Sequence, residues 1–152
     1  RVEKLDAVSE PPYTFPEAER LVVEFVSPAR LKAMKRWWHD EVPFPVLIAR
    51  LAGRFQALVT SYGRDDGRDW DAYRRDLTEL ATHVLSYKLE GRQARGRRIS
   101  SRTGSKCPLD GFVGRMLYQG NFTPFSEILG YLPFIHVGKS APFGCGWCTL
   151  KT

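Results

Sequence analysis

The stretch VLSYKLEGRQARGRRISSRTGSKCPLDGFVGRMLYQ, residues 84–119, decides the fold. In VLSYKLE (84–90), Leu85, Tyr87 and Leu89 fall on one face and Ser86, Lys88 and Glu90 on the other. That period of two is the mark of a strand. GFVGRMLYQ (111–119) reads as a second strand, closed by Gly120 and Asn121. Between them, GRQARGRRISSRTGSK (91–106) is rich in glycine, serine and arginine. Two strands joined through such a segment predict an antiparallel hairpin.

The flanks complete the pattern. Upstream, FPVLIARLAGRFQALVTSYG (44–63) is the clearest helix. Phe44, Leu47, Ile48, Leu51, Phe55, Leu58, Val59 and Tyr62 share one face, and Gly63 is a natural stop. RDDGR (64–68) reads as a turn. A second helix is expected over 69–82, with Trp70, Tyr73, Leu77, Leu80 and Ala81 apolar and Asp69 and Asp71 at its N-terminus. RLVVEFV (20–26) is β-rich, with Leu21, Val23 and Phe25 on one face, and Pro28 is expected to end it. The basic, aromatic segment 29–41 fits neither period. Residues 1–19, with prolines at 11, 12 and 16, read as a lead-in or linker.

Downstream, Thr123 and Pro124 predict an N-cap and first turn. They open a short helix with Phe125, Ile128, Leu129 and Leu132 inward and Pro133 as its end. FGCGWCTL (143–150) reads as a last strand. No internal repeat at a solenoid period is found. The order β-α-β-β-α-β, with an extra helix after the first long one, predicts an α+β ferredoxin-like domain over residues 20–152.

The length of 152 residues suits one domain with a real core, and 43% hydrophobic residues exclude wholesale disorder. No apolar run approaches the roughly 20 residues of a membrane span, and no secretory signal pattern is read. The formal net charge of +6 is unevenly placed. Residues 1–80 hold 13 basic and 14 acidic side chains; residues 81–152 hold 10 basic and 3 acidic. Such a one-sided excess points to a polyanion partner, with solubility alone as the other reading. Three cysteines, an odd number, argue against a disulfide framework and for a reducing cytosol.

Four segments could carry chemistry. Seven basic residues lie between 88 and 106: Lys88, Arg92, Arg95, Arg97, Arg98, Arg102 and Lys106, against Glu90 alone. Arginine forks bind phosphate oxygens in pairs, and a basic arm between strands suits RNA better than the DNA major groove. The other reading is a solvated loop. The segment HVGKSAPFGCG (136–146) offers Gly138, Gly144 and Gly146 for close backbone approach to a ligand, and Lys139 and Ser140 for polar contacts. It is not a Walker loop, because Lys139 follows the first glycine rather than the second.

Cys145 and Cys148 have redox or zinc-pair spacing. The chain after Cys148 is too short for a thioredoxin-type helix, and a zinc site would need further ligands from Cys107 and the histidines. No metal or other cofactor is expected. Of the histidines, His83 suits a structural junction. His136 adjoins the glycine segment, and His39 lies beside Trp37 and Trp38, whose rings can stack on bases or fill the core.

The segments VEFVSPARLK (23–32), PFPVLIARLAGRFQAL (43–58), GFVGRMLYQG (111–120) and FIHVGKSAPFGCGWCTL (134–150) together resemble a known family. They are similar to the C-terminal part of the CRISPR-associated endoribonucleases that process precursor CRISPR RNA, members of the RAMP superfamily. The resemblance spans roughly residues 20–150. It implies a ferredoxin-like, RRM-like domain that binds repeat RNA, and cleavage without a metal. In that chemistry the 2′-hydroxyl attacks the adjacent phosphate, leaving a cyclic phosphate and a 5′-hydroxyl. Family members typically have two such domains, with catalytic residues frequently in the N-terminal one.

On the endoribonuclease reading, His136 transfers the proton, with His39 as its alternative, and Lys139 and Gly138 meet the scissile phosphate. Arg92, Arg95, Arg97, Arg98, Arg102 and Lys106, with Gly138, Gly144 and Gly146, hold RNA. The expected partners are CRISPR repeat RNA or crRNA, an N-terminal ferredoxin-like domain or other CRISPR effector subunits, in a prokaryotic cytoplasm and with no membrane. A non-catalytic RNA-binding subunit is the second reading. A cysteine-based redox or zinc protein is the third, and a membrane-surface protein the fourth.

Overall fold

The computed structural model describes residues 15, 17–63 and 66–152. In chain order the elements begin with β1 (Arg20–Ala29), β2 (Leu31–Ala33), β3 (Arg36–Trp38), α1 (Phe44–Tyr62) and α2 (Trp70–Ala81). They continue with β4 (Leu85–Ala94), β5 (Arg97–Ile99), β6 (Lys106–Pro108), β7 (Gly111–Gln119), α3 (Ser126–Ile135) and β8 (Cys148–Lys151). The strands β4-β7-β1-β8, in that spatial order, form one antiparallel sheet. The crossovers from β1 to β4 and from β7 to β8 each carry helix, so this is the expected ferredoxin-like arrangement with α2 as the extra helix. Most of the expected lead-in lies outside the described residues, as do residues 64 and 65 of the expected turn. Among the described residues no helix is long and apolar enough to cross a membrane.

Alternation places the core. Leu21, Val23 and Phe25 of β1, with Met116 and Tyr118 of β7, are buried against α1 and α3. Their neighbours Val22, Glu24, Leu117 and Arg115 lie on the open face. The buried Tyr118 hydroxyl donates to the Val42 carbonyl at 2.7 Å, which fixes the chain entering α1. Along α1 the predicted apolar face is buried from Phe44 to Phe55, but Tyr62 is exposed because the helix outruns the core. In α2, Asp69 is the N-cap, accepting from Ala72 N at 3.0 Å, and Leu77 and Ala81 are buried while Leu80 is exposed.

Strand β4 turns its apolar residues the other way. Leu85, Tyr87 and Leu89 are about half exposed, whereas Ser86 faces the helices and its Oγ accepts from Phe44 N at 2.9 Å. α1 starts at a proline and has no capping side chain of its own, so Ser86 supplies that acceptor from across the sheet. The register shifts between Lys88 and Glu90, leaving Leu89 as a bulge. Beyond it, Glu90 pairs with Arg115 at 2.8 Å and Arg92 joins it on the open face. A strand without that extra residue would turn Arg92 inward.

Several boundaries differ from the sequence expectation. Pro28 does not end β1; the strand continues to Ala29 through an irregular step after Phe25. Here Val26 N donates to Trp147 O, and Gly146 N to Pro28 O, both at 2.9 Å, so a residue without an N–H is accommodated. The unassigned segment 29–41 contains the β2–β3 hairpin. Its turn residues Met34 and Lys35 both have positive φ, at 51° and 60°.

Thr123 makes no side-chain cap. It begins a 3₁₀ turn, Thr123–Phe125, and Asn121 Oδ1 accepts its N–H at 3.0 Å. Pro133 lies inside α3, which runs on to Ile135. The predicted strand over 143–150 is shorter: Phe143 closes a 3₁₀ turn (Ala141–Phe143), and Gly144 and Gly146, at φ of 85° and 75°, keep the chain irregular until Cys148.

Gly91 and Gly114 pair across β4 and β7 where the Phe112 ring crosses the sheet. A Cβ on Gly114 would collide with the Glu90 carbonyl oxygen and Gly91 Cα, both backbone atoms. Gly114→Ala is therefore expected to destabilise the fold by about 1–3 kcal/mol. Gly96→Ala, whose nearest new neighbour is Leu109 Cβ at 3.6 Å, should stay within about 0.5 kcal/mol. Urea midpoints measure both, and equal midpoints would refute the packing argument. Tyr118→Phe strands the Val42 carbonyl and should cost about 1–3 kcal/mol in the same assay.

Candidate nucleic-acid interface

The basic stretch forms an arm. Strands β5 and β6 pair antiparallel, Arg98 opposite Cys107, and extend outward from the ends of β4 and β7. The tip closes through Ser100 N to Ser105 O at 2.9 Å and Gly104 N to Ser100 O at 2.8 Å. At the base, Gly96 N donates to Asp110 Oδ1 at 3.1 Å and Leu109 N to Gly96 O at 2.8 Å. Arg92, Arg95, Arg97, Arg98, Arg102 and Lys106 are all exposed. Among the described residues none of the six forms an ion pair. The Glu90 carboxylate is taken by Arg115, whose guanidinium holds it below the usual carboxylate range. The arm thus presents six exposed cations, none of them in an ion pair among the described residues, with the Asp110 carboxylate at its base occupied by Gly96 N.

The glycine-rich segment follows α3 and folds beside the arm base. The Arg98 guanidinium lies 3.9 Å from the centre of the Phe143 ring, joining arm to segment. Arg30 makes a second link. Its Nε donates to the Asp110 carbonyl at 3.1 Å, its Nη1 to Ser140 Oγ at 2.7 Å, and its own carbonyl accepts Lys139 N at 2.9 Å. It also lies 5.2 Å from the centre of the Trp37 ring. Sequence reasoning missed Arg30, because nothing local distinguishes it from the other arginines; its partners are 80 and 110 residues away.

The three candidate glycines differ in surroundings. A Cβ at Gly138 would come within 2.6 Å of the Arg30 carbonyl oxygen, and one at Gly146 would overlap the Val137 carbonyl. Those two allow the chain to approach itself. Gly144 faces open space.

His136 is half-buried at φ 61°, and its Nδ1 lies 3.2 Å from the Cys145 carbonyl. A carbonyl only accepts, so Nδ1 donates this hydrogen bond, and among the described residues Nε2 has no hydrogen-bond partner. Lys139 is exposed, its Nζ 5.6 Å from the Trp37 ring centre. His39 lies against the same ring, parallel to Trp37 within 8° at 5.8 Å. Pairing in the β2–β3 hairpin explains the two tryptophans. Trp38 sits opposite Leu31 and is buried, while Trp37 sits opposite Lys32 on the outer face, half-buried among cations. His83 is exposed at the junction of α2 and β4.

The cysteines are free: Cys107 is exposed on the arm, and Cys145 and Cys148 are buried. Burial pushes both buried thiols up, away from the thiolate form that redox chemistry or metal ligation uses.

The chain matches the family model for the CRISPR-associated endoribonuclease Cas6 over residues 23–148. Comparison with the curated proteins gave no match. Among solved structures, a Cas6 (TTHA0078) product complex aligns with a TM-score of 0.57 at 22% identity, over 91% of this chain and 53% of that one. Thermus thermophilus Cas6 (TTHB231) aligns with a TM-score of 0.54 at 25% identity, over 90% and 55%. A Cas6-RT-Cas1–Cas2 complex aligns with a TM-score of 0.58 at 15% identity, over 97% and 15%. The chain spans about half the length of the Cas6 structures it matches. With the family model covering most of the ferredoxin-like sheet and its basic attachments, the chain belongs to the CRISPR-associated endoribonuclease Cas6 family.

Proposed function

We propose that residues 20–152 form a ferredoxin-like RNA-binding domain that grips CRISPR repeat RNA and takes part in metal-independent cleavage of precursor CRISPR RNA. The observation that carries this reading is the join between the unpaired basic arm and the glycine-rich turn, made by Arg98 on Phe143 and by Arg30 between Asp110 and Ser140. RNA lying along Arg92, Arg95, Arg97, Arg98, Arg102 and Lys106 is led to the turn that carries His136 and Lys139. Gly138, Gly144 and Gly146 shape that turn, and Gly144 leaves room for a strand to approach.

In the reaction, His136 Nε2 takes the proton of the 2′-hydroxyl as its oxygen attacks the adjacent phosphorus. The P–O5′ bond breaks, and the leaving 5′-oxygen takes a proton from water. The products are a 2′,3′-cyclic phosphate and a 5′-hydroxyl. The Lys139 ammonium offsets the charge gathering on the phosphate oxygens. His39, beside Trp37, is the alternative proton carrier.

The matched Cas6 structures are nearly twice as long as this chain, which supports a further ferredoxin-like domain or other CRISPR effector subunits as protein partners. The same fact supports a second reading, in which this chain binds repeat RNA without cutting it. The proposed setting is the prokaryotic cytoplasm.

Incubation of the full chain with an end-labelled repeat hairpin in excess EDTA separates the readings. A discrete product ending in a cyclic phosphate is expected, and His136→Ala should slow its formation by about 10²-fold or more. A folded His136→Ala protein that cuts at the parental rate removes His136 from the mechanism and turns the test to His39→Ala. Binding without any product supports the non-catalytic reading. Arg97→Gln/Arg98→Gln should weaken binding in either case. On single-stranded RNA its log–log salt slope should be shallower by about 0.7 for each phosphate that is no longer neutralised. An unchanged slope would remove these arginines from the interface.

A further inference from the structure

A second basic feature, to which no arm residue contributes, lies between the helices and the glycine-rich turn. A pocket of about 320 Å³ opens between β2, α1, α2 and the turn at Gly138. Five cations line it: Lys32, Arg50, Arg54, Arg74 and Lys139. Arg50, Gly53 and Arg54 are neighbours on one face of α1, and the bare Gly53 leaves the floor open, with Arg74 Nη2 3.7 Å from where a Cβ would stand. No carboxylate lines the pocket, and among the described residues none of the five cations forms an ion pair.

Two of the arginines are held in place by neutral acceptors. Arg54 Nε donates to the Ile135 carbonyl at 3.2 Å, and Arg74 Nη1 to Gln56 Oε1 at 3.3 Å. Arg50 is not: its Nε is buried with no hydrogen-bond partner. A buried guanidinium nitrogen without an acceptor is costly, and five like charges around one cavity repel. Both penalties are relieved by an anion entering from outside. Arginine forks in this number match the several oxygens of a phosphate group.

Lys139 and Lys32 belong both to this pocket and to the cluster of cations around Trp37. The pocket is therefore continuous with the glycine-rich turn, whose Gly138 and Lys139 form part of its wall. We infer that the pocket is a second phosphate-binding site, holding a backbone phosphodiester of the single-stranded RNA that continues past the turn. The inference rests on the RNA-binding reading above and adds to it a separate anchor on the helix side of the sheet.

The test compares the full chain with Arg50→Gln/Arg74→Gln, using a repeat hairpin with and without a single-stranded extension. The variant should bind the extended RNA roughly tenfold more weakly, as expected for removal of charged hydrogen bonds. Its salt slope should be shallower by about 0.7, with binding of the blunt hairpin unchanged. Equal affinity and slope on the extended RNA would overturn the pocket assignment while leaving the arm intact. Equal weakening on both RNAs would overturn the assignment to the extension. A parent protein that binds neither RNA would defeat the RNA reading itself. In that case, thermal melting with inorganic pyrophosphate reports on the pocket alone. Stabilisation of the parent but not the variant would mark a small-anion site, and stabilisation of neither would refute anion binding there. Competition by polyglutamate but not by single-stranded RNA would assign the pocket to an acidic protein instead.

Discussion

The Arg30 guanidinium holds the arm, the glycine-rich turn and the Trp37 hairpin together. It sits at the end of β1, where the strand leaves the sheet, and reaches in two directions. One hydrogen bond goes to the Asp110 carbonyl at the root of the arm, the other to Ser140 in the glycine-rich turn. Its backbone carbonyl meets Lys139, and its plane approaches Trp37. Three other segments, the root of the arm, the glycine-rich turn and the β2–β3 hairpin, thereby meet at one residue. Charged hydrogen bonds of this kind are stronger than neutral ones, and a fork with several donors can satisfy several partners at once. Gly138 is part of the same constraint, since the turn can lie against the Arg30 carbonyl only where there is no Cβ.

The sheet solves a different problem, which is to separate a dry face from a charged one. The Leu89 bulge does this within a single strand. Before it, β4 offers Ser86 to the N-terminus of α1 and leaves Leu85 and Tyr87 on the open face. After it, Gly91 lies under the Phe112 ring and Arg92 faces outward. One inserted residue lets the same strand serve the helix at one end and the basic arm at the other. The apolar strip that remains, Tyr87 beside Leu117 beside Val22, crosses three strands of the open face.

Elements whose periodicity is set by burial were legible in the sequence. The alternation of Leu21, Val23 and Phe25 and the helical spacing from Phe44 to Phe55 follow directly from facing one core. Elements set by interactions across the chain were not. The β2–β3 turn uses Met34 and Lys35 at positive φ, where asparagine and glycine are the usual signal. Pro28 looked like a terminator because its missing N–H is a local fact, whereas the Gly146 N–H that meets its carbonyl is a distant one. Pro133 does not end α3 but takes the place of a donor to the Leu129 carbonyl, a loss the helix carries for its last three residues. At the site, charge density revealed the arm. The pocket arginines are spread over α1 and α2, and Arg30 stands alone, so neither forms a run that composition could reveal.

The three cysteines divide the molecule by accessibility. Cys107 projects from β6 opposite Arg98, while Cys145 is enclosed within the glycine-rich turn and Cys148 at the start of β8, burial pushing both thiols up. A thiol-directed dye therefore reaches the arm at one defined position without mutagenesis. Cys145 reacts only once the turn has opened, and Cys148 only once β8 has left the sheet. A single alkylation time course on the unmodified chain thus contains a fast clock for cover over the arm and slow ones for opening of the turn and of the sheet edge at β8.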